Sequence, residues 1–413
     1  MAEKNWELSV LSELADKGWE LTNGSGIQAD TSYEERVRAT RVPDSILPNY
    51  KAFRHGRESR ESLIIPGEVK EALRRLNPDA TEDHVQKAYT TLTRRRSANI
   101  MAENKEALGY MSAGIPVEMK APDGTLRTRN LQVISADPSQ NTYLAAQQVT
   151  VFSSGRSYRL DVVLYCNGLP VGIIELKDQD KKLTEAYNQM NTYQREIPQA
   201  FTYNIVTIMG QADHARYGTI GTPLSHTAQW NYNAEGAETP NGTYHDDNGQ
   251  HSTPLNRIIQ AFGTPEILLD MMRHFTLFVG TGTEEGSKSY VKILAKAHQY
   301  YAVREALDRA VKTHTGRGQV GVVWHTQGSG KSYSMLFFAR AAMREKALHN
   351  PTIVVVTDRT DLDSQLYTTF LNAKDMLPEE PVQFDSRREL KNRLNDIQSG
   401  GIFFTTLQKF GME

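Results

Sequence analysis

The spacing of hydrophobic and polar positions changes twice along the chain. Residues 6–22 carry apolar side chains at helical intervals and predict an amphipathic helix ending near Gly18. Residues 33–60 mix arginines with prolines and predict irregular chain. Helical periodicity with many charges returns over 67–75 and 82–107. From about residue 112 the pattern becomes short apolar runs broken by the turn dipeptides Asp123-Gly124 and Asn167-Gly168, which predicts hairpins of a mixed sheet. A helix over 183–195 and a strand over 203–209 follow.

Residues 218–256 are poor in large aliphatics and rich in Gly, Thr, Asn, Asp and His, so they read as a long connection between domains. Beyond them, apolar runs at 320–324, 352–356 and 401–405 alternate with helical stretches at 331–347, 361–373 and 387–398. That alternation predicts a parallel sheet. The expected fold class is α/β, with residues 1–258 forming a mixed-sheet domain and residues 259–413 a parallel one.

A chain of 413 residues has room for two or three domains with sizeable cores. Its net charge of −2 excludes a histone-like polycation and leaves room for local basic patches. No apolar run approaches the ~20 residues of a membrane helix. The start, MAEKNWELSV, carries charges where a signal peptide has its apolar stretch. A soluble, cytoplasmic protein with no membrane partner is expected. The single cysteine, Cys166, excludes an internal disulfide and a cysteine-rich metal site, and reads as a buried strand residue. The histidines show no metal-ligand spacing, and His245 and His251 fall in the long connection. Arg94-Arg95-Arg96 reads as an exposed helix face or a DNA phosphate contact.

The sharpest local motif is Gly328-Ser329-Gly330-Lys331-Ser332, between the predicted strand Val320–Trp324 and the predicted helix Tyr333–Arg344. Glycines let the backbone curl until its amides face a phosphate, and the helix N-terminus adds its dipole. Lys331 is then placed for the β- and γ-phosphates of ATP and Ser332 for Mg²⁺. His325 stands where the strict pattern begins with glycine, so only the tolerant form seen in helicase-type motors fits. Trp324 reads as core packing.

A second constellation is Asp161 followed by Glu175-Leu176-Lys177. On a strand, i and i+2 share a face, so Glu175 and Lys177 project together. Two carboxylates can hold Mg²⁺, and a lysine can orient or help deprotonate a water. Glu-x-Lys also starts at Glu68, Glu103, Glu118 and Glu389, so the pattern needs its context. Glu389 lies in a helical pattern, where i and i+2 sit about 200° apart. Glu68 and Glu103 have polar, helix-like surroundings, and Glu118 lacks an upstream aspartate. Only Glu175 sits in an apolar strand beside a second strand that carries an acid. Spacing alone leaves both a metal-dependent nuclease site and an exposed cluster of strand-end charges open. Gln189 and Tyr193 are four apart and share a face of the following helix.

Together these blocks resemble the R subunit of type I restriction enzymes, the motor and endonuclease subunit. The resemblance runs through LDVVLYCNGLPVGIIELKDQ (160–179), Gln189 and Tyr193, FTYN (201–204), LLDMMRHFTLF (268–278), VKILAKAHQYYAV (291–303), GVVWHTQGSGKS (321–332), TIVVVTDRTDLDSQL (352–366) and FFTTLQKF (403–410). It implies a PD-(D/E)xK nuclease domain followed by a RecA-like, superfamily 2 helicase-type translocase domain. Asp161, Glu175 and Lys177 fall on the nuclease triad, with Asp161 and Glu175 as metal ligands, and Gln189 and Tyr193 on the QxxxY pattern. Gln327, Gly328, Ser329, Gly330, Lys331 and Ser332 fall on helicase motif I, and Gln299 in the stretch proposed to read adenine. Thr357, Asp358, Arg359 and Gln365 fall on the next motor block. Leu160 stands where a proline often precedes the first acid. Glu7 is a candidate further acid from the first helix.

The resemblance implies Mg²⁺ and ATP as cofactors, double-stranded DNA as substrate, and specificity and methyltransferase subunits as partners. No DEAD- or DExH-like box follows the phosphate loop. The expectation is therefore the amino-terminal piece of a longer protein, able to bind ATP weakly and unable to hydrolyse it alone. Two rivals are a non-catalytic docking module for partner subunits and a free-standing Mg²⁺-dependent nuclease.

Overall fold

A computed structural model of the chain describes residues 3–40, 50–120, 124–232, 252–281, 289–316, 318–358, 360–384 and 386–409. The chain divides into two units, Met1–Arg273 and His274–Glu413.

The first unit begins with α1 (Glu3–Asp16), β1 (Glu20–Asn23), α2 (Tyr33–Ala39), α3 (Pro66–Leu76), α4 (Glu82–Thr93) and α5 (Ile100–Ala113). It continues with β2 (Ile115–Lys120), β3 (Leu126–Leu131), β4 (Tyr143–Ser153), β5 (Arg156–Cys166) and β6 (Leu169–Leu176). Then follow α6 (Leu183–Glu196), β7 (Val206–Gly210), β8 (Arg216–Gly218), α7 (Pro254–Gly263) and α8 (Pro265–Arg273). One mixed sheet has the order β1-β4-β5-β6-β7-β8, and β2 pairs with β3 in a separate hairpin. β4, β5 and β6 run antiparallel, and α6 carries the chain across to β7, parallel to β6.

The most apolar runs become the centre of the sheet. β6 is buried at every position, and β5 from Leu160 onward, as strands covered on both faces must be. Cys166 is buried, as its sequence context predicts. Asn167 and Gly168 close the β5–β6 hairpin with φ of 48° and 79°, the conformation a two-residue turn requires. A Cβ at residue 168 would come within 2.7 Å of the Ile65 carbonyl oxygen, so only glycine fits. The buried Asn167 side chain accepts from the Thr142 amide at 2.8 Å and donates to the Val133 carbonyl at 2.9 Å. The turn is thereby fixed to the chain around it. Ala186, Met190 and Tyr193 of α6 share one core cluster with Leu160, Val163 and Ile173.

Several elements differ from their sequence expectation. The first helix stops at Asp16, Gly18 turns left-handed at φ 84°, and β1 occupies residues predicted as helix. Residues 33–39 are helical because Ser32 and Glu35 form a reciprocal capping box. The helical stretch 82–107 breaks into α4 and α5, and Arg94–Arg96 lie in the break instead of on a helix face. The first unit also runs past the expected division at 258. Trp19 Nε1 donates to the Gly263 carbonyl at 2.7 Å, and Arg273 reaches the Ser112 and Ile134 carbonyls at 2.9 and 3.0 Å. α7 and α8 are thus tied to elements far upstream. Of the predicted long connection, residues 233–251, with His245 and His251, lie outside the described residues.

The second unit contains β9 (Thr276–Gly280), β10 (Tyr290–Leu294), α9 (Ala297–Thr313), α10 (Lys331–Arg344), β11 (Ile353–Thr357) and α11 (Thr360–Asn372). It ends with β12 (Val382–Gln383), α12 (Arg387–Asp396) and β13 (Ile402–Thr406). β9 and β10 form an antiparallel pair, and β11, β13 and β12 a parallel sheet with β13 central. The expected strand Val320–Trp324 is not formed. These residues enter no sheet and expose Val322 at 95% and Trp324 at 80%, so Trp324 is not core packing. A strand is held by its ladder partners, and among the described residues no neighbour pairs with this segment.

Candidate active site

The site in the first unit begins where two central strands separate. The β5–β6 ladder is regular at Val162↔Ile174. One step further, Asp161 and Glu175 face each other, and the strands part. The Leu176 amide donates to Asp161 Oδ2 at 2.7 Å, and the Lys177 amide turns to the Gly210 carbonyl of β7 at 2.9 Å. The opening is a cleft of about 480 Å³ lined by both acids, Lys177, Gln189, Tyr193 and Arg159. The structure therefore brings together five side chains selected from the sequence. The other Glu-x-Lys pairs remain apart from any such arrangement: Glu68, Glu103 and Glu389 lie on helices α3, α5 and α12, and Glu118 on the β2–β3 hairpin.

Both carboxylates are buried, Asp161 at 4% exposure and Glu175 at 2%. Burial, and then the neighbouring Asp161 charge, hold Glu175 well above the ordinary carboxylate range, while Lys177 opposes them. The Lys177 ammonium donates to Glu175 Oε1. Glu175 Oε2 is buried with no hydrogen-bond partner among the described residues. When both carboxyls are ionised one ammonium faces two negative charges, and a buried oxygen without a donor is costly. Hard oxygen donors in this state suit a small divalent cation such as Mg²⁺. The Tyr193 hydroxyl donates to the Arg159 carbonyl at 2.8 Å, and burial raises its pKa. It therefore stays a neutral donor beside Glu175, with Gln189 one turn earlier against it.

Glu7 is buried on α1 and accepts from Gln148 Nε2 at 2.5 Å. Gln148 has φ 53° and occupies the position in β4 that faces Asp161, where the β4–β5 ladder skips a pair. Glu7 is thus tied to the strand next to the site, but it is not among the residues lining the cleft.

The phosphate-loop residues of the second unit lie in the open. Gly328 and Gly330 adopt φ of 79° and 87°, and Gly330 is the left-handed N-cap of α10. Lys331 Nζ donates to the His325 carbonyl at 2.8 Å. Gln327, Gly328 and Lys331 are exposed, and Ser329 and Ser332 half-buried. Gln299 is committed to backbone at both ends of its amide, accepting from Lys296 N at 2.9 Å and donating to Gly330 O at 3.0 Å. His298 Nε2 meets Ser329 O at 3.0 Å, a clasp on the loop that no pattern in the sequence announced. Thr357 bonds Asp363 at 3.2 Å, Gln365 is exposed, and Arg359 lies outside the described residues.

The fold also assembles His55, Glu68 and Glu71. Glu68 meets Nδ1 at 2.9 Å and Glu71 lies 3.6 Å from Nε2. The two acids approach different nitrogens of one ring.

A family described as Type I restriction enzyme R protein N terminus matches residues 1–226, and one described as SWI2/SNF2 ATPase matches residues 298–413. The type I restriction enzyme HindI endonuclease subunit of Haemophilus influenzae is 34% identical over 357 residues, covering 85% of this chain and 33% of that protein. The putative MjaIXP endonuclease subunit of Methanocaldococcus jannaschii is 30% identical over 378 residues, covering 86% and 34%. The SauCOLORF180P endonuclease subunit of Staphylococcus aureus is 26% identical over 275 residues, covering 65% and 26%. The chain spans about a third of the length of the first two.

Proposed function

Because the chain belongs to the family of type I restriction enzyme R proteins, we propose that its first unit is a PD-(D/E)xK endonuclease that cuts double-stranded DNA with Mg²⁺. The observation that carries this reading is the pair of buried acids at the parting of β5 and β6, with Lys177 on one Glu175 oxygen and no hydrogen-bond partner for the other among the described residues. Asp161 and Glu175 would hold the cation, which when bound lowers the pKa of a coordinated water and offsets phosphoryl charge. Leu176 orients Asp161 through its amide. Lys177 offsets the charge of Glu175 and is the group placed to orient the attacking water. Tyr193 and Gln189 line the cleft beside Glu175, with the Tyr193 hydroxyl holding the Arg159 carbonyl.

The second unit, in the same reading, is the first RecA-like part of an ATP-driven DNA translocase. Gln327 to Ser332 would take the ATP phosphates and Gln299 the loop that carries them. The complex would include specificity and methyltransferase subunits, with DNA pulled by one unit and cut by the other. In the assembled enzyme, Glu175→Ala or Lys177→Ala is expected to stop cleavage and leave ATPase activity intact. Cleavage that survives both substitutions rejects the site. Partner binding without any metal-dependent cleavage by the wild type would favour the docking-module reading.

A further inference from the structure

A phosphodiester entering the cleft would meet Lys177, which is held by Glu175 and does not freely supply a contact to a flanking phosphate, so the approach calls for a second cation. Arg159 stands at that approach. It is two residues before Asp161 on β5 and so shares that residue's face of the strand. It lines the cleft. Its main chain is fixed twice, by the pairing of Arg159 with Thr150 and by the Tyr193 hydroxyl on its carbonyl at 2.8 Å. Its side chain is exposed and makes no hydrogen bond or ion pair among the described residues. A rigid base under an uncommitted guanidinium costs little ordering when a ligand binds, and the guanidinium fork matches phosphate oxygens. Thr150 and Ser157 line the same cleft and add hydroxyl donors.

We propose that Arg159 is a DNA-contact residue that grips a backbone phosphate flanking the scissile one. The inference rests on the nuclease reading of the cleft. It makes Arg159 a binding and positioning residue, distinct from the acids that would hold the metal.

The test is binding of a fluorescent 40-base-pair duplex to the full 413-residue chain with Ca²⁺ in place of Mg²⁺, across a salt series. Arg159→Ala is expected to weaken binding about tenfold at moderate salt and to reduce the slope of log K against log salt by about 0.9, the share of one phosphate contact. Arg159→Lys should recover the slope and only part of the affinity. Arg38→Ala, which removes an equal charge from exposed α2, should change neither. Equal affinity and slope in wild type and Arg159→Ala overturn the proposal. So does an equal loss in Arg38→Ala, or no duplex binding by the wild type. Thermal melts of each variant separate lost contact from lost fold. Glu175→Ala tests the underlying reading separately: cleavage should be lost in the assembled enzyme. Cleavage that persists there sinks the nuclease assignment and leaves the Arg159 measurement to stand as a DNA contact alone.

Discussion

The carboxylate cleft and the phosphate loop both rest on short motifs at the end of an apolar run, yet one is built and the other open. Val171–Leu176 lies inside a six-stranded sheet, hydrogen-bonded to β5 on one side and β7 on the other. Its last residues have nowhere to go except the parting of the strands, so Glu175 is buried and held. Val320–Trp324 is also apolar but enters no sheet, and among the described residues the loop after it is held by His298, Gln299, its own lysine and local backbone bonds such as Ser329 N to Thr326 O. A motif becomes a site when neighbouring strands fix its exit, and glycines and a lysine do not supply that by themselves.

Hydrogen exchange tests this contrast most directly. Amides of Ile173–Leu176 should exchange at least about 10³-fold more slowly than those of 320–325, the factor that ~4 kcal/mol of opening free energy gives. Comparable protection in the two segments would break the comparison.

The next largest effect concerns chemistry. Lys177→Ala should lower cleavage by the assembled enzyme by about 10²–10⁴, the range of a positioned proton-transfer group. Lys331→Ala should remove ATP-dependent activity and leave stabilisation of the first unit by Mg²⁺ unchanged. A Lys331 substitution that weakened that metal response would show the two sites to be coupled.

Tryptophan fluorescence sharpens the comparison further. The part of the emission lost in Trp324→Phe should be red-shifted and readily quenched by acrylamide. Trp19 and Trp230 are 0% and 1% exposed and should resist quenching. A blue-shifted, protected Trp324 would mean that its segment is packed.

The smallest effect is in stability against pH. Burial and Asp161 raise the folded-state pKa of Glu175. The folded state then binds the proton more tightly than the unfolded chain, so stability falls as pH rises from the unfolded value through the raised one. Without metal, Glu175→Gln should melt higher than wild type at pH 8, by about 2–4 °C per kcal/mol of relieved repulsion. The gap should close toward pH 4.5, and Mg²⁺ should stabilise the wild type more than the variant. A gap that widened on acidification would contradict the sign.

Local periodicity, and residues such as Gly168 whose conformations few others adopt, made most of the elements, the Asn167-Gly168 turn and the buried Cys166 legible in the sequence. Spacing left the role of the cleft residues open, and the five side chains were picked out together only by the resemblance to the R subunit family. The sequence also separated Glu175 from the four other Glu-x-Lys pairs, because strand and helix aim i and i+2 differently. Tertiary structure alone decided the rest. Residues 20–23 become strand by pairing with β4, although residues 20–22 fall in the stretch with helical periodicity. α7 and α8 join the first unit through Trp19, Ser112 and Ile134. Residues 320–324 stay out of a sheet although their pattern suits one. In the first two cases the deciding partner lies far along the chain and in the third no described neighbour pairs with the segment, because hydrogen-bond ladders and burial depend on partners that no local window contains.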